Sequence, residues 1–495
     1  MVDVNCLCNW KEVRGLDALT GFLQAKEQFN IYAFVPSHGS YSSLSYEDLA
    51  EIRMKLLRMI EKDGVQGLKR FAAAHKRESR INPTTCYQLN SSIYGAPSAN
   101  HEWDMLFQAA HVDKCGLTLS EVEPSLYVKL ETNDEGEVID WMMATIWTDD
   151  VRYFGTTKML EEYEKELAKH IKVKLLGVPG EFVGVEIKQD LQKGLLEMTS
   201  PKYWESALEK FSRFFPGGIK DRSNPLSVYD EKVMLEEVVT DEQYAEAKDL
   251  PYREICGVLS YAAGCVKLEM RYSVSICGRH RGMWGKRQFK ILLKVFEYGY
   301  TTRHTGLIYS KGLDKHGMNV MYCFADSGHT LPRSYGSTVP MMNGAAVGLS
   351  AKRHTLTASS TTHDESIEFG IASNRMVGFR NMAIEMGFPQ DKATTIYQDN
   401  EACIQIMVNR GSLSKQSRHM ERRILAARNK IEDGEVFPTY CRTEEMVADI
   451  GTKALSDRQF CYLRDLLTGY ALVRLHHPTY PLPAYVLKKD QQNGG

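Results

Sequence analysis

The sequence has no long apolar run: its longest, around Met142 to Trp147, falls far short of the roughly 18 to 20 residues a membrane span needs. The N-terminal stretch MVDVNCLCNWKEVRG places Asp3 early and offers no apolar core for a secretory signal. Eleven cysteines are present, an odd number, without a CxxC pair or a Cys/His array at zinc spacing. They read as the reduced thiols of an intracellular protein, cytoplasmic or nuclear and not secreted. Charge of one sign is not in excess, since 61 Lys and Arg face 63 Asp and Glu for a formal net charge of -2. Overall charge therefore neither demands nor excludes a nucleic-acid partner, and local clusters must decide. No internal repeat is visible. What is present is ordinary globular composition, 43% hydrophobic and 25% charged, over 495 residues. That length predicts two to four domains.

Patterning along the chain predicts an α/β protein. Short alternating runs from Gly15 to Phe34 predict strands, and helical spacing from Ser45 to Arg80 predicts two helical pieces, the second basic and either solvated or phosphate-facing. Helices are expected at 102–112 and 157–170, and strands at 124–130 and 138–147. The Gly-, Pro- and Ser-rich stretch Pro216 to Asn224 is the first credible boundary. A helical zone follows over 241–300. A new α/β pattern then runs through a strand at 319–325, strands near 338–350, a helix at 364–386, a strand at 394–398 and a helix at 400–409. One short helix and a frayed Pro-rich tail are expected after Leu455.

The sharpest local feature is TIWTDDVRYFG at 145–155, where Asp149 and Asp150 sit in a tight hairpin between apolar strands. Adjacent carboxylates repel unless a cation binds, and carboxylate oxygens suit hard ions such as Mg²⁺. An Asp-Asp pair is also an ordinary turn. A second segment of the same style, GLDALTGFLQA at 15–25, ends an apolar strand at Asp17 and places Phe22 five residues later. Two-metal phosphoryl transfer needs carboxylates converging from separate strands.

These segments resemble the reverse transcriptase of copia-type LTR retrotransposon polyproteins. LDALTGFLQA is similar to the family's MDVKTAFLNG, and WTDDV to YVDDI. QLNSSIYGAPSANHEW resembles KLKKSLYGLKQAPRAW, keeping Tyr94, Gly95 and Trp103, and EPSLYVK resembles DPCLYVK. LGVPGEFVGVEI, with Phe182 and Gly184, resembles the primer-grip segment LGELKYFLGIEI, and YREICGVLSYAA resembles YRSLVGSLMYLA. The C-terminal α/β pattern resembles the ribonuclease H domain of the same polyproteins. CFADSGH places an acid at Asp326, IYQDNEACI at Asp399 and ADIGTKAL at Asp449. ASSTTHDESIEF places one at Glu365, with Glu368 as the alternative. SKQSRHMERRILAARNK resembles a basic family helix around His419 and contributes Lys415, Arg418 and Arg422, set either along a nucleic-acid backbone or in solvent. A further cluster, Arg279 to Lys290 with Trp284 and Phe289, is expected to track a duplex.

The resemblance implies a reverse transcriptase palm with partial fingers over 1–225, a helical thumb or connection over 226–315, a ribonuclease H-like domain over 316–455 and a tail over 456–495. It implies RNA-directed DNA polymerisation with Asp17, Asp149 and Asp150 as catalytic and metal-holding residues. It also implies hydrolysis of RNA in RNA–DNA hybrids by Asp326, Glu365, Asp399 and Asp449. Two Mg²⁺ ions per site, or Mn²⁺ in their place, are the implied cofactors. The implied substrate contacts come from Phe22, which stacks under the sugar, and from Tyr94, Gly95 and Trp147. The partners are an RNA template, a DNA primer, deoxynucleoside triphosphates and the hybrid, with no membrane; a second copy or the remaining polyprotein segments would complete the assembly. Only 16 residues precede Asp17, so the fingers are expected to be largely absent, as in a polyprotein piece or a decayed insertion. Thr148, and the loss of the family's Lys-Gln and Arg after Tyr94-Gly95, depart from the family text. The alternative expectation is therefore a remnant that binds nucleic acid without polymerising, with ribonuclease H as its one retained activity.

Overall fold

The structure, a computed structural model, describes residues 101–148, 150–177, 180–328, 334–355, 360–409 and 421–481. It also gives the backbone of residues 99–100 and of the strands Glu12–Ala18, Tyr32–Val35 and Thr85–Gln88. The expected helical pieces between Ser45 and Arg80 lie outside these residues. The chain divides into two compact units, Lys11–Pro179 and one that begins at Gly180.

The first unit is built on a six-stranded antiparallel sheet. Its strands run in the order Thr118–Leu119, Leu126–Thr132, Val138–Trp147, Asp150–Gly155, Glu12–Ala18 and Val173–Gly177. Alternation sets the faces, so Met142 and Ala144 of one strand and Val151 and Tyr153 of the next turn to the same core. Two helices cover that face. Thr156 caps the helix Thr157–Leu167 by accepting from the Met159 amide, and Met159, Leu160, Tyr163 and Leu167 line its buried side. The helix Ala99–Ala109 adds Trp103 and Phe107, both almost fully buried.

The second unit starts with the antiparallel strands Glu181–Phe182, Val185–Asp190, Leu195–Thr199 and Leu307–Ser310, hydrogen-bonded in that order. Leu195–Thr199 pairs residue for residue with Leu307–Ser310, which ties residues 180–225 to the segments that follow them. The compact units consequently part at Pro179/Gly180 rather than at the Pro- and Gly-rich stretch near 220. That stretch is instead fastened to the helix Lys286–Thr301 by an Arg222–Glu297 ion pair of 2.7 Å. The expected helical zone is present as Asp241–Ala245, Tyr252–Cys265, Arg271–Gly278 and Lys286–Thr301. Gly299 lets the last of these approach Trp204, since a Cβ there would lie 2.0 Å from the indole.

Within the same unit lies a mixed sheet, in the order Ala345–Ala346, Tyr335–Met342, Tyr322–Gly328, Thr394–Gln398, Val436–Tyr440. Ser350–Arg353 also pairs with Tyr335–Met342. Tyr322–Gly328 runs antiparallel to Tyr335–Met342 but parallel to Thr394–Gln398, which in turn runs parallel to Val436–Tyr440. The helix Thr361–Glu385, capped by Ser360, packs across this sheet, with Glu421–Glu432 against it.

Two expectations are corrected here. Asp457–Thr468 and Tyr470–His476 are packed helices and not a tail: Tyr470 and Val473 are buried with Leu195 and Ile308, and the Tyr470 hydroxyl donates to Glu197 at 3.0 Å. The Arg279–Lys290 cluster does not present aromatic rings to a ligand. Trp284 is buried, stacks on Tyr252 and donates to the Ala247 carbonyl at 2.9 Å, and Phe289 is buried too. Lys286 and Arg287 pair with Glu246 and Glu237.

Candidate active sites

In the first unit, Trp147 pairs with Asp150 in a tight hairpin, and Asp150 pairs with Asp17 on its other side. Positions 147, 150 and 17 thus lie on one register line across three adjacent strands, and directly opposed residues share a face. Asp149, the side chain of Asp17, and Phe22, Tyr94 and Gly95 lie outside the described residues. Thr148 takes φ +55°, a left-handed conformation that a β-branched residue adopts only under constraint. Its carbonyl accepts a 2.9 Å hydrogen bond from the Trp103 indole, whose ring is locked in the core. Trp147 is 56% exposed beside this turn. A cleft of about 400 Å³ opens there, lined by Asp104, Phe107, Tyr127, Trp147 and Thr148.

The expected primer-grip segment forms a second tight hairpin, in which Phe182 pairs with Val185 around Val183 and Gly184. Both turn residues have positive φ, +47° and +70°, as a type I′ turn requires, and glycine at the second position meets that need without strain. The Tyr261 hydroxyl donates to the Val183 carbonyl. Phe182 itself is buried, so the turn rather than the ring faces outward.

The mixed sheet carries the acid cluster. Asp326 lies near the end of Tyr322–Gly328, Glu365 in the first turns of Thr361–Glu385, and Asp399 just past Thr394–Gln398, where Asn400 caps the next helix. One carboxylate oxygen from each comes within 4.8 Å of the others. Glu368, one turn beyond Glu365, is turned elsewhere: it accepts from Thr338 and lies 2.9 Å from His354. Gln398 Nε2 donates to Glu365 at 2.6 Å, Thr443 to Asp399 at 3.0 Å and Thr452 to Asp326 at 2.7 Å. Burial, then the Asp326 and Asp399 charges, push Glu365 well above the usual carboxylate range, and burial and Asp326 raise Asp399. Asp449 stands beside Asp326 but outside the converging three. Burial first, then Asp326, lift it to about 8 although Lys453 Nζ lies 2.8 Å away.

This donor set fits divalent cations. All three converging ligands are hard carboxylate oxygens, and two of them resist ionising together unless positive charge arrives. Lys453 and the three hydrogen-bond donors were not singled out from sequence; Lys453 follows Asp449 by one helical turn, and that spacing was the available signal. Of the basic helix, Lys415, Arg418 and His419 lie outside the described residues. Arg422 and Arg423 are exposed, and Arg428 is buried, donating to the Ile406 carbonyl at 3.0 Å.

Residues 75–214 match the family described as reverse transcriptase (RNA-dependent DNA polymerase). The chain is 23% identical over 383 residues to the retrovirus-related Pol polyprotein from transposon TNT 1-94 of Nicotiana tabacum, an alignment covering 77% of this chain and 28% of that polyprotein. It is 26% identical over 280 residues to a Ty5-1 transposon protein of Saccharomyces cerevisiae, covering 55% of this chain and 83% of the relative. Among solved structures, a foamy viral protease-reverse transcriptase in complex with double-stranded DNA aligns at 11% identity and TM-score 0.40, covering 89% of this chain and 59% of that one. The chain is related to the Gag-Pol-type polyproteins of copia- and Ty1-type retrotransposons and contains a reverse transcriptase segment. It spans under a third of the tobacco polyprotein. Among the described residues no helix is long and apolar enough to cross a membrane.

Proposed function

We propose that the chain is an RNA-directed DNA polymerase with an associated ribonuclease H, working on an RNA template, a DNA primer, deoxynucleoside triphosphates and the resulting RNA–DNA hybrid. The observation that carries the reading is the convergence of Asp326, Glu365 and Asp399 oxygens within 4.8 Å, the two aspartates at the ends of neighbouring strands and Glu365 on the helix packed across the sheet. These three, joined by Asp449, would hold two Mg²⁺ ions, or Mn²⁺. When bound, the ions supply an activated water and neutralise charge on the scissile phosphodiester. Gln398, Thr443 and Thr452 each fix one carboxylate oxygen and so aim the others inward. Lys453 holds the Asp449 end of the cluster by a direct ion pair.

The polymerase half of the reading rests on register. Asp17 and Asp150 are register partners on neighbouring strands, and Asp149 is the residue before Asp150 in the sequence. Asp17 and Asp149 would hold that site's ions, with Asp150 in support and Trp147 exposed beside the primer end. Phe22, Tyr94, Gly95 and the Phe182–Gly184 hairpin belong to the same proposal, as do Lys415, Arg418, His419 and Arg422 along the hybrid backbone. The domain division proposed is a palm with partial fingers, a helical thumb or connection and a ribonuclease H-like domain.

The test is Mg²⁺-dependent primer extension on an RNA template with the purified chain, with cleavage of hybrid RNA scored in the same tube. Both activities are expected. Cleavage without extension would confine the activity to the acid cluster, and silence in both would leave a nucleic-acid-binding remnant.

A further inference from the structure

At one edge of the mixed sheet, the strand Ser350–Arg353 pairs, among the described residues, with Tyr335–Met342 alone, and the helix Arg271–Gly278 packs against it. Between them lies a cleft of about 360 Å³ whose charged lining is entirely basic: Arg271, Arg281, Lys352 and Arg375, accompanied by the hydroxyls of Ser260 and Ser350. The four cations come from three segments: Arg271 and Arg281 from a helix and the turn that closes it, Lys352 from the sheet edge and Arg375 from the long helix. None lies within ion-pair distance of a carboxylate among the described residues. Arg271 donates to the Leu349 carbonyl at 3.3 Å and Arg281 to the Ser260 hydroxyl at 2.6 Å, so both guanidinium groups are oriented yet keep donors to spare. Burial, and then the neighbouring Arg375, hold Arg271 below its ordinary value. Four like charges gathered without a counter-charge repel one another, and a polyanion would relieve that repulsion.

The position of the cleft relative to the acid cluster identifies the polyanion. Asp326, Ser337 and Ala351 lie on one register line across three strands, and Ala351 lines the cleft. Two strand spacings place the cleft about 10 Å from Asp326. Arg375 follows Glu365 by ten residues on the same helix, about 15 Å along its axis. Backbone phosphates recur at about 3.4 Å per nucleotide on each strand, so these distances correspond to roughly three to five nucleotides. We propose that this cleft grips the phosphodiester backbone of the bound hybrid a few nucleotides from the bond positioned at Asp326, Glu365 and Asp399. The assignment rests on the nucleic-acid reading of the acid cluster. It adds a docking site contributed jointly by the helical zone and the sheet edge, of whose four cations the sequence marks only Arg281.

The experiment measures hybrid binding by the full chain without divalent ions, over a range of salt concentrations, for the unaltered protein, the double variant Lys352→Gln/Arg375→Gln, the exposed Arg281→Gln, and Lys232→Gln as a control outside the cleft lining. Each phosphate contact removed lowers the slope of log affinity against log salt by about 0.9. The double variant should therefore lose close to two in slope and Arg281→Gln close to one, with Lys232→Gln unchanged. A shortened hybrid that ends before the cleft should bind all four proteins alike. Inorganic phosphate should displace the long hybrid no better than chloride at matched ionic strength. Unaltered slopes in both cleft variants would overturn the proposal and leave the cleft as solvated surface or as a site for an acidic protein; specific displacement by phosphate would assign it to the free anion instead. Because binding is read without turnover, absence of cleavage by every protein would count against the hydrolytic reading alone.

Discussion

The two compact units each bury a histidine, and they treat it in opposite ways. In the first unit His111 lies among Phe107, Tyr127 and Tyr163, bonded to the Phe107 carbonyl and the Tyr163 hydroxyl, and burial drives its pKa down to about 4. In the second, His354 is wedged between Asp364 and Glu368; against burial, which would lower it, the two carboxylates raise it to about 9. The same contrast runs through the candidate acids. Asp150 sits half-buried at the mouth of a hairpin that strand register aligns with Asp17, whereas Asp326 and Glu365 are buried in a carboxylate cluster neighbouring the His354 clamp. Around its histidine the first unit packs neutral aromatic groups, and around its own the second packs carboxylates. Burial alone therefore does not decide how a group titrates; the groups packed around it do.

That contrast can be broken selectively. The largest stability effect is expected from His354→Leu, which leaves Asp364 and Glu368 buried without their cation. It should cost about 4 kcal/mol and lower only the transition of the second unit in a calorimetric scan. Next is pH. Below pH 6.5 the unfolded chain protonates His111 while the folded one does not until about 4, so the first unit should lose up to about 3 kcal/mol over that window. His354 behaves inversely: its contribution is complete below pH 6.5 and disappears as pH rises through about 9. Thermal scans from acid to alkali should show the two transitions moving in opposite directions, and parallel movement would refute the assignment. Gly299→Ala, which drives a Cβ into the buried Trp204 ring, should cost about 2 kcal/mol and again affect the second unit. The smallest change is a gain: Thr148→Gly relieves the positive φ at the acid-bearing turn and should stabilise the first unit by about 1 kcal/mol, read as a rise in its Tm.

Much of this arrangement was legible before any coordinates. The resemblance of CFADSGH and IYQDNEACI to ribonuclease H motifs marks Asp326 and Asp399, and the apolar strands that flank the Asp-Asp pair mark a hairpin there, in keeping with the Trp147–Asp150 pairing. The sequence favours Glu365 and leaves Glu368 as the alternative. They lie one helical turn apart, and only the position of His354, distant in sequence from Glu368 and across the packing, shows which one turns away from the cluster. The Arg279–Lys290 cluster misled for a related reason: interleaved basic and aromatic residues look alike whether the rings face solvent or, like Trp284, fill a helical core. The boundary between units was hidden because the pairing of Leu195–Thr199 with Leu307–Ser310 spans more than a hundred residues and overrides a Gly- and Pro-rich stretch lying between them.

The central claim is that two separate acid sets serve two separate reactions, and exchanging carboxylates for amides in one set at a time tests it most directly. Primer extension and hybrid cleavage would be measured in parallel, in Mg²⁺, for Asp326→Asn and for Asp149→Asn/Asp150→Asn. The account predicts that Asp326→Asn lowers cleavage by at least about 100-fold and leaves extension intact, and that the double variant does the reverse. Cleavage that persists in Asp326→Asn, or both activities falling together in either protein, would contradict it.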